Sequence, residues 1–192
     1  MRYADTAVFC AVTVAPVREE QDFFPLTVDY REKTSAAGKF PGGFIKREGR
    51  PTTKEILTAR LMDRPLRPLF PEHFLMDTSI ASMVLAADQQ NDPDILAMIA
   101  ASAALAVSDV PYLGPTGSVR IGLIDGQLIV NPTVTDLKTS QLDLVVSGTR
   151  DAVTMVEAGA NEVSEDVMIR AIARAHEVIR EVIELQDELV RQ

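Results

Sequence analysis

Cysteine is almost absent from this chain of 192 residues: Cys10 is the only one, inside the apolar run Val8-Phe9-Cys10-Ala11-Val12. A disulfide framework and a cysteine-based zinc site are thereby excluded, and a buried thiol in a reducing cytoplasm is expected. Histidine is nearly as scarce. His73 sits in a proline-flanked loop and His176 at the edge of an apolar helical stripe, neither with a Cys, Ser or carboxylate at metal or triad spacing. Long apolar runs are missing too: the longest, Ile95 to Val107, is about 13 residues, short of the ~20 that a membrane span requires. The N-terminus, Met1-Arg2-Tyr3-Ala4-Asp5, carries an acid where a signal peptide would run apolar. A cytoplasmic protein with no membrane partner is expected. Basic residues are the minority, 19 Lys+Arg against 28 Asp+Glu for a net charge of -9, which in bulk speaks against a polyanionic partner.

What is present reads as one globular domain of mixed type. Thr6 to Val14 is β-branched or apolar at nearly every position, the pattern of a strand buried on both faces, although only five residues precede it. A second strand runs Phe24 to Tyr30, and a Gly/Lys/Arg-rich loop follows from Arg31 to Arg50. Thr52-Thr53-Lys54-Glu55 has the form of a capping box opening a helix that Pro65 should end near Arg64. Thr78 to Ala87 reads as a strand, and Asp92-Pro93 opens an Ala-rich buried helix. Val119 to Ile124 and Gln127 to Val130 flank Asp125-Gly126, a strong hairpin signal. A second hairpin joins Leu142 to Ser147 with Ala152 to Ala158. The last helix runs from about Ser164 to Leu189, its apolar stripe formed by Met168, Ala171, Ile172, Ala175, Val178, Ile179, Val182, Leu185 and Leu189. The expected fold class is α+β, one mixed sheet with packed helices.

Charge is distributed unevenly. Residues 31–67 hold 10 of the 19 cations and only 4 acids, a local net of +6, between segments of -3 (1–30) and -12 (68–192). Guanidinium groups fork onto phosphate oxygens, and glycine-rich backbone followed by a helix N-terminus approaches anions closely. Phe44, between Gly43 and Lys46-Arg47, offers a ring for base stacking, worth ~1–3 kcal/mol per base on single strands. Structural roles compete with this reading: Arg64 could complement the helix macrodipole, Arg60 could pair with Glu55 or Asp63, and Phe44 could anchor the loop in a small core. Asp92 and Asp94 look like paired carboxylates, but an N-cap with a first-turn acid explains them better. Gly114-Pro115-Thr116-Gly117-Ser118 lacks the lysine and spacing of a P-loop. No catalytic residue and no metal ligand is assigned.

Three stretches, Phe24-Pro25-Leu26-Thr27-Val28-Asp29-Tyr30-Arg31-Glu32-Lys33, Gly38 through Pro51 (GKFPGGFIKREGRP) and Arg60 through Pro71 (RLMDRPLRPLFP), closely resemble the bacterial polynucleotide phosphorylase family. Asn91-Asp92-Pro93-Asp94, Gly114-Pro115-Thr116-Gly117 and Leu142 through Thr149 also fit, so the resemblance spans nearly the whole chain. The part resembled is the first of that family's two ribonuclease-PH-like domains, placed at residues 1–160. Residues 161–192 would be its C-terminal helix leading to a helical linker. The resemblance implies a ribosomal-protein-S5-domain-2-like fold, and a homotrimer that degrades single-stranded RNA from the 3′ end in mRNA turnover and RNA processing. It further implies phosphate as co-substrate, Mg2+ or Mn2+ as supporting metal, and an endoribonuclease or helicase as partner. By the same resemblance, Phe44, Ile45, Lys46 and Arg47 line a channel loop that grips RNA, with Ile45 where many members have a second Phe; Arg50, in the same basic loop, is a further candidate RNA contact. Arg64 and Arg67 match family arginines that face the active-site region, and Arg60, four residues before Arg64 and on the same helix face, is expected to face phosphate with them. The family's catalytic centre lies in the second such domain, which with the KH and S1 modules is not in this sequence, and family members carry further strand ahead of Met1. The chain therefore resembles a piece of a larger enzyme. A purely RNA-binding or assembly module and a ribonuclease-PH-type subunit are the alternatives.

Overall fold

The computed structural model describes residues 1–17, 22–44 and 49–192. Strands β1 (Arg2–Tyr3), β2 (Thr6–Ala15) and β3 (Leu26–Glu32) come first, then helix α1 (Thr53–Leu66), β4 (Asp77–Ala86) and helix α2 (Pro93–Ala106). The hairpin strands β5 (Gly117–Ile124) and β6 (Gln127–Val130), a short helix α3 (Val134–Leu137), the hairpin strands β7 (Leu142–Gly148) and β8 (Val153–Ala160), and a long helix α4 (Glu165–Val190) complete the chain. The α+β class is as expected, but the strands form two four-stranded sheets rather than one. The first, ordered β1-β2-β4-β3, is mixed, with β3 parallel to β4; the second, ordered β6-β5-β7-β8, is antiparallel throughout.

Helix α2 is the physical reason for two sheets. Eleven of its 14 residues are buried, so it must be covered on both sides, and it packs on β2 and β4 of one sheet and on β5 of the other. Its interior positions are small, with Ala97 and Ala101 fully buried. Helix α1 lies on β3 beside it, and α4 covers the far face of the second sheet through Ala171, Ala175, Ile179 and Ile183. The layers run sheet, helices, sheet, helix.

Three sequence expectations are corrected by this arrangement. Strand β2 is not buried on both faces: Val8, Cys10 and Val12 join the core, while Phe9, paired in register with Met83, is 52% exposed on the open side. Strand β5, between α2 and α4, is instead buried on both faces. Cys10 is accordingly half-buried; burial pushes its thiol above the ordinary range, so it stays protonated at neutral pH. Pro65 does not end α1, which continues to Leu66 with Pro65 inside its last turn. Only one backbone bond is forfeited there, and the two added residues seat Leu66, 1% exposed, in the core. On α4 the stripe advances in steps of four through Ala171, Ala175, Ile179 and Ile183 and then to Gln186, leaving Leu185 and Leu189 exposed. Gln186 donates to the Thr116 carbonyl (2.9 Å) just before β5. Beside it Gly117 is obligatory, since a Cβ would lie 2.7 Å from the Ile179 carbonyl oxygen of α4.

A charged cluster joins the layers. Arg120, the single charge in β5, donates to Asp94 (2.8 Å), lies 3.6 Å from Asp92, and holds its Nε 3.0 Å from an Asp143 oxygen on β7, off the N–H axis. Lys54 at the start of α1 bridges Asp92 (3.1 Å) to Glu32 (3.0 Å), which also accepts from the Tyr30 hydroxyl (2.7 Å). Burial drives Asp94 toward its neutral form with Asp92 adding to the effect, while Arg120 opposes both; the net direction is upward. Removing one partner of such a buried pair strands the other. Arg120→Met should therefore destabilise the chain by ~3–5 kcal/mol in urea unfolding. Adding Asp94→Leu should restore most of the loss; a cost below ~1 kcal/mol for the single variant contradicts this role.

Candidate nucleic-acid interface

The basic segment leaves the fold at the end of β3 and returns at the start of α1. A 3₁₀ turn, Thr34–Ala37, follows β3 and ends in Gly38 at φ +69°, a left-handed position that glycine occupies without strain. The Ala87 amide donates to the Ala36 carbonyl (3.0 Å), fastening the turn to the end of β4. At the other end the expected capping box is formed. The Thr52 hydroxyl accepts from the Glu55 amide (3.2 Å), and the Glu55 carboxylate accepts from the Thr52 amide (2.6 Å). The second carboxylate oxygen accepts from the Glu32 amide (2.8 Å) on β3. Glu55 is 7% exposed. Burial alone would raise its pKa, but the Thr52 and Glu32 donors and nearby Arg31 outweigh it and hold the carboxyl below the usual range. These bonds therefore persist well into acid, failing only as the pH falls through that lowered value.

Ile45, Lys46 and Arg47 lie outside the described residues. Of the other expected contact residues, Phe44 is 71% exposed, so it is not a core residue, and Arg50 is exposed. The three arginines of α1 and its end differ sharply. Arg67 donates to both Asp63 oxygens (2.9 Å each) and to the Phe24 (3.2 Å) and Leu26 (3.1 Å) carbonyls, with its guanidinium over the Phe24 ring. Phe24 in turn packs on Phe70 and Phe74. Arg67 thus ties α1 to the chain entering β3. Arg64 pairs with Glu157 of β8 (2.9 Å), both side chains more than half exposed. Arg60 is exposed and pairs with neither Glu55 nor Asp63, which are held by Thr52, Glu32 and Arg67. Among the described residues the side chains of Lys33, Lys39, Arg50 and Arg60 form no ion pair or hydrogen bond. A cleft of about 250 Å³ opens between β3 and α1 at the foot of the segment, lined by Tyr30, Pro51, Glu55, Ile56, Arg60 and Asp63 among others.

The remaining sequence candidates resolve as structural. Asp92 caps α2, accepting from the Asp94 amide (3.4 Å). His176 stands between the Thr149 carbonyl (3.1 Å) and Arg180 (3.3 Å), clipping the β7–β8 turn to α4. Sequence reasoning passed over Arg120; a lone charge inside an apolar strand was the signal that a buried counter-ion must exist. Among the described residues no group of three His, Cys, Asp or Glu is placed to hold a metal ion.

Residues 1–111 match the profile described as 3′ exoribonuclease family, domain 1, and residues 114–178 that of 3′ exoribonuclease family, domain 2. The chain is 53% identical over all 192 residues to a polyribonucleotide nucleotidyltransferase of Caldicellulosiruptor bescii, of which it covers 27%. It is 56% identical over its whole length to that of a Roseiflexus species (26% of that protein). Identity is 57% over 186 residues to that of Geobacter sulfurreducens, covering 96% of this chain and 27% of that protein. The chain thus spans about a quarter of the length of the curated relatives it matches. In fold it superposes on rice Rrp46 with a TM-score of 0.81 at 15% identity, covering 100% of this chain and 86% of that one.

The contrast between the arginines is measurable. Arg67→Ala should cost ~1–2 kcal/mol in chemical unfolding, because two backbone carbonyls and Asp63 lose their donor. Arg60→Ala should stay within ~0.5 kcal/mol of the parent. Equal costs would contradict the structural assignment of Arg67.

Proposed function

The chain belongs to the 3′ exoribonuclease family, and from that premise we propose that it is the RNA-gripping, assembly-forming first part of a phosphorolytic 3′-to-5′ exoribonuclease. In that reaction phosphate attacks the terminal phosphodiester of single-stranded RNA and releases nucleoside diphosphates. The observation that carries the reading is the set of exposed cations, Lys33, Lys39, Arg50 and Arg60, that no carboxylate among the described residues neutralises, in a segment of net charge +6. Exposed cations and an exposed aromatic ring, Phe44, in the same segment suit a single strand. The acidic remainder repels RNA everywhere else, so the strand is guided to one place.

Phe44, Ile45, Lys46, Arg47 and Arg50 are proposed as the channel contacts, with Arg60 and Arg64 toward phosphate. Arg64 can exchange its exposed Glu157 partner for a phosphate at little cost, since surface pairs are worth ~0–1 kcal/mol. Arg67 is committed to holding α1 in place. Homotrimer formation is supported by the open face of the first sheet, where Phe9, Met83 and Leu85 stand exposed. An endoribonuclease or helicase as further partner and a cytoplasmic location are proposed from the family resemblance alone; no helix among the described residues is long and apolar enough to cross a membrane. The reaction's Mg2+ or Mn2+ does not fit the described residues. Their clustered carboxylates, Asp92, Asp94 and Asp143, already surround Arg120, so no step is assigned to a metal here.

Lys46→Ala with Arg47→Ala should weaken binding of a single-stranded oligonucleotide and flatten its salt dependence by about 1.4 in log–log slope, at ~0.7 per lost phosphate contact on single strands. An unchanged slope contradicts the RNA reading of the segment. The purified 192-residue chain should release no nucleoside diphosphate from poly(A) and phosphate; release would place a catalytic centre within it.

A further inference from the structure

The basic segment between Glu32 and Thr52 runs for 19 residues, from Lys33 to Pro51. A span of that length is entropically costly to hold in one place. No backbone hydrogen bond joins its two ends among the described residues. One side chain does so instead: the Glu55 carboxylate receives the Glu32 amide on one oxygen and the Thr52 amide on the other. The outgoing and returning chain are thus stapled to a single buried group. The staple is itself braced. Glu32 is held by the Tyr30 hydroxyl and by Lys54, and Lys54 reaches Asp92 at the start of α2.

We propose that Glu55 is a positioning residue for RNA capture, its carboxylate closing the neck of the basic segment and so fixing where Lys39, Phe44 and Arg50 stand toward the strand. This rests on the reading of the segment as the RNA grip. Glu55 touches no RNA in this scheme. It acts by pre-organisation, which raises affinity by lowering the ordering cost at the moment of binding. The carboxylate is held ionised against its burial by the two amides and the Thr52 hydroxyl, as a double acceptor must be. A capping role alone would need only the Thr52 bond; the bond to Glu32, on a different element, is what makes the group a clasp.

The test is Glu55→Gln in the full chain, read by binding of a fluorescent single-stranded oligoadenylate over a salt series. Glutamine keeps the shape but presents an NH2 group to one of the two amides, which opens the neck. It also removes a negative charge next to a polyanion site, so simple electrostatics would tighten binding. The neck role has the opposite sign: Kd should rise about three- to tenfold with an unchanged salt slope, because every cation is still present. Met62→Ala, a core truncation of the same helix, serves as a control that lowers stability and should leave Kd within about twofold at a temperature where both variants are folded. Equal or tighter binding by Glu55→Gln overturns the proposal. Weakening by Met62→Ala as large as that by Glu55→Gln overturns it as well, since general loosening of α1 would then suffice. The parent reading fails separately, when Lys46→Ala with Arg47→Ala binds like the wild type. Should Glu55→Gln not fold, amide exchange of the wild-type chain decides. The Glu32 and Thr52 amides should open together and slow when oligoadenylate is bound. Independent opening, or no response to the oligonucleotide, overturns the neck.

Discussion

One guanidinium holds the layers in relation to one another. Arg120 is embedded in a strand buried on both faces, where an unpaired charge would be prohibitive. The first turn of α2 answers it with Asp94 and Asp92, and β7 with Asp143. Because Asp92 also meets Lys54, and Lys54 meets Glu32, the pairing does not stop at the second sheet. It passes through the start of α2 to the start of α1 and on to the end of β3. Both ends of the basic segment therefore rest on a frame set by charge as well as by apolar packing. Ion pairs of this kind contribute little net stability over an apolar equivalent, but they fix register, because only one relative placement of β5, α2 and α1 satisfies them all.

Helix α1 and the residue that caps its end carry two kinds of cation. Arg67 spends its donors on Asp63 and two carbonyls, and so belongs to the architecture. Arg60, about two turns earlier, spends none. The same residue type seven positions apart thus divides between holding the helix and facing solvent. The acidic partners decide which is which: Asp63 is within reach of Arg67 through i,i+4 geometry, and Glu55 is withdrawn from Arg60 by its backbone donors. Net charge by segment locates such a belt; only the pairing shows how much of it remains available.

What could be read from the sequence was mostly local. The Thr52/Glu55 box, the Asp92-Pro93 start of α2 and the Asp125-Gly126 turn all stand as expected, with Asp125 and Gly126 both at positive φ, because each depends on a few neighbouring residues. Run-length patterns failed where tertiary contacts decide. The composition of β2 suggests burial on both faces, yet the described residues leave Phe9 half exposed. Pro65 is tolerated because Leu66 gains a place in the core. The number of sheets turned on α2, whose all-round apolarity was visible but whose second cover was not. The candidate interface was located by charge and by family resemblance. The commitment of Arg67 to carbonyls 41 and 43 residues away in sequence, and the second bond of Glu55, could not be found from spacing.

The position of α2 between two sheets has an evolutionary side. A helix on a protein surface absorbs a larger side chain by letting it lean into water. Here Ala97 and Ala101 are fully enclosed, and Ala100 and Ala103 nearly so, with strands of one sheet on one flank and β5 on the other. The thickness of this spacer sets the distance between the sheets, and with it the reach of Arg120 to Asp94. Each added methylene would have to move a whole sheet, at a typical cost of ~1–3 kcal/mol. Drift in this helix is thereby confined to exchanges that conserve volume, and the methyl groups of four alanines act as the gauge to which both sheets are cut.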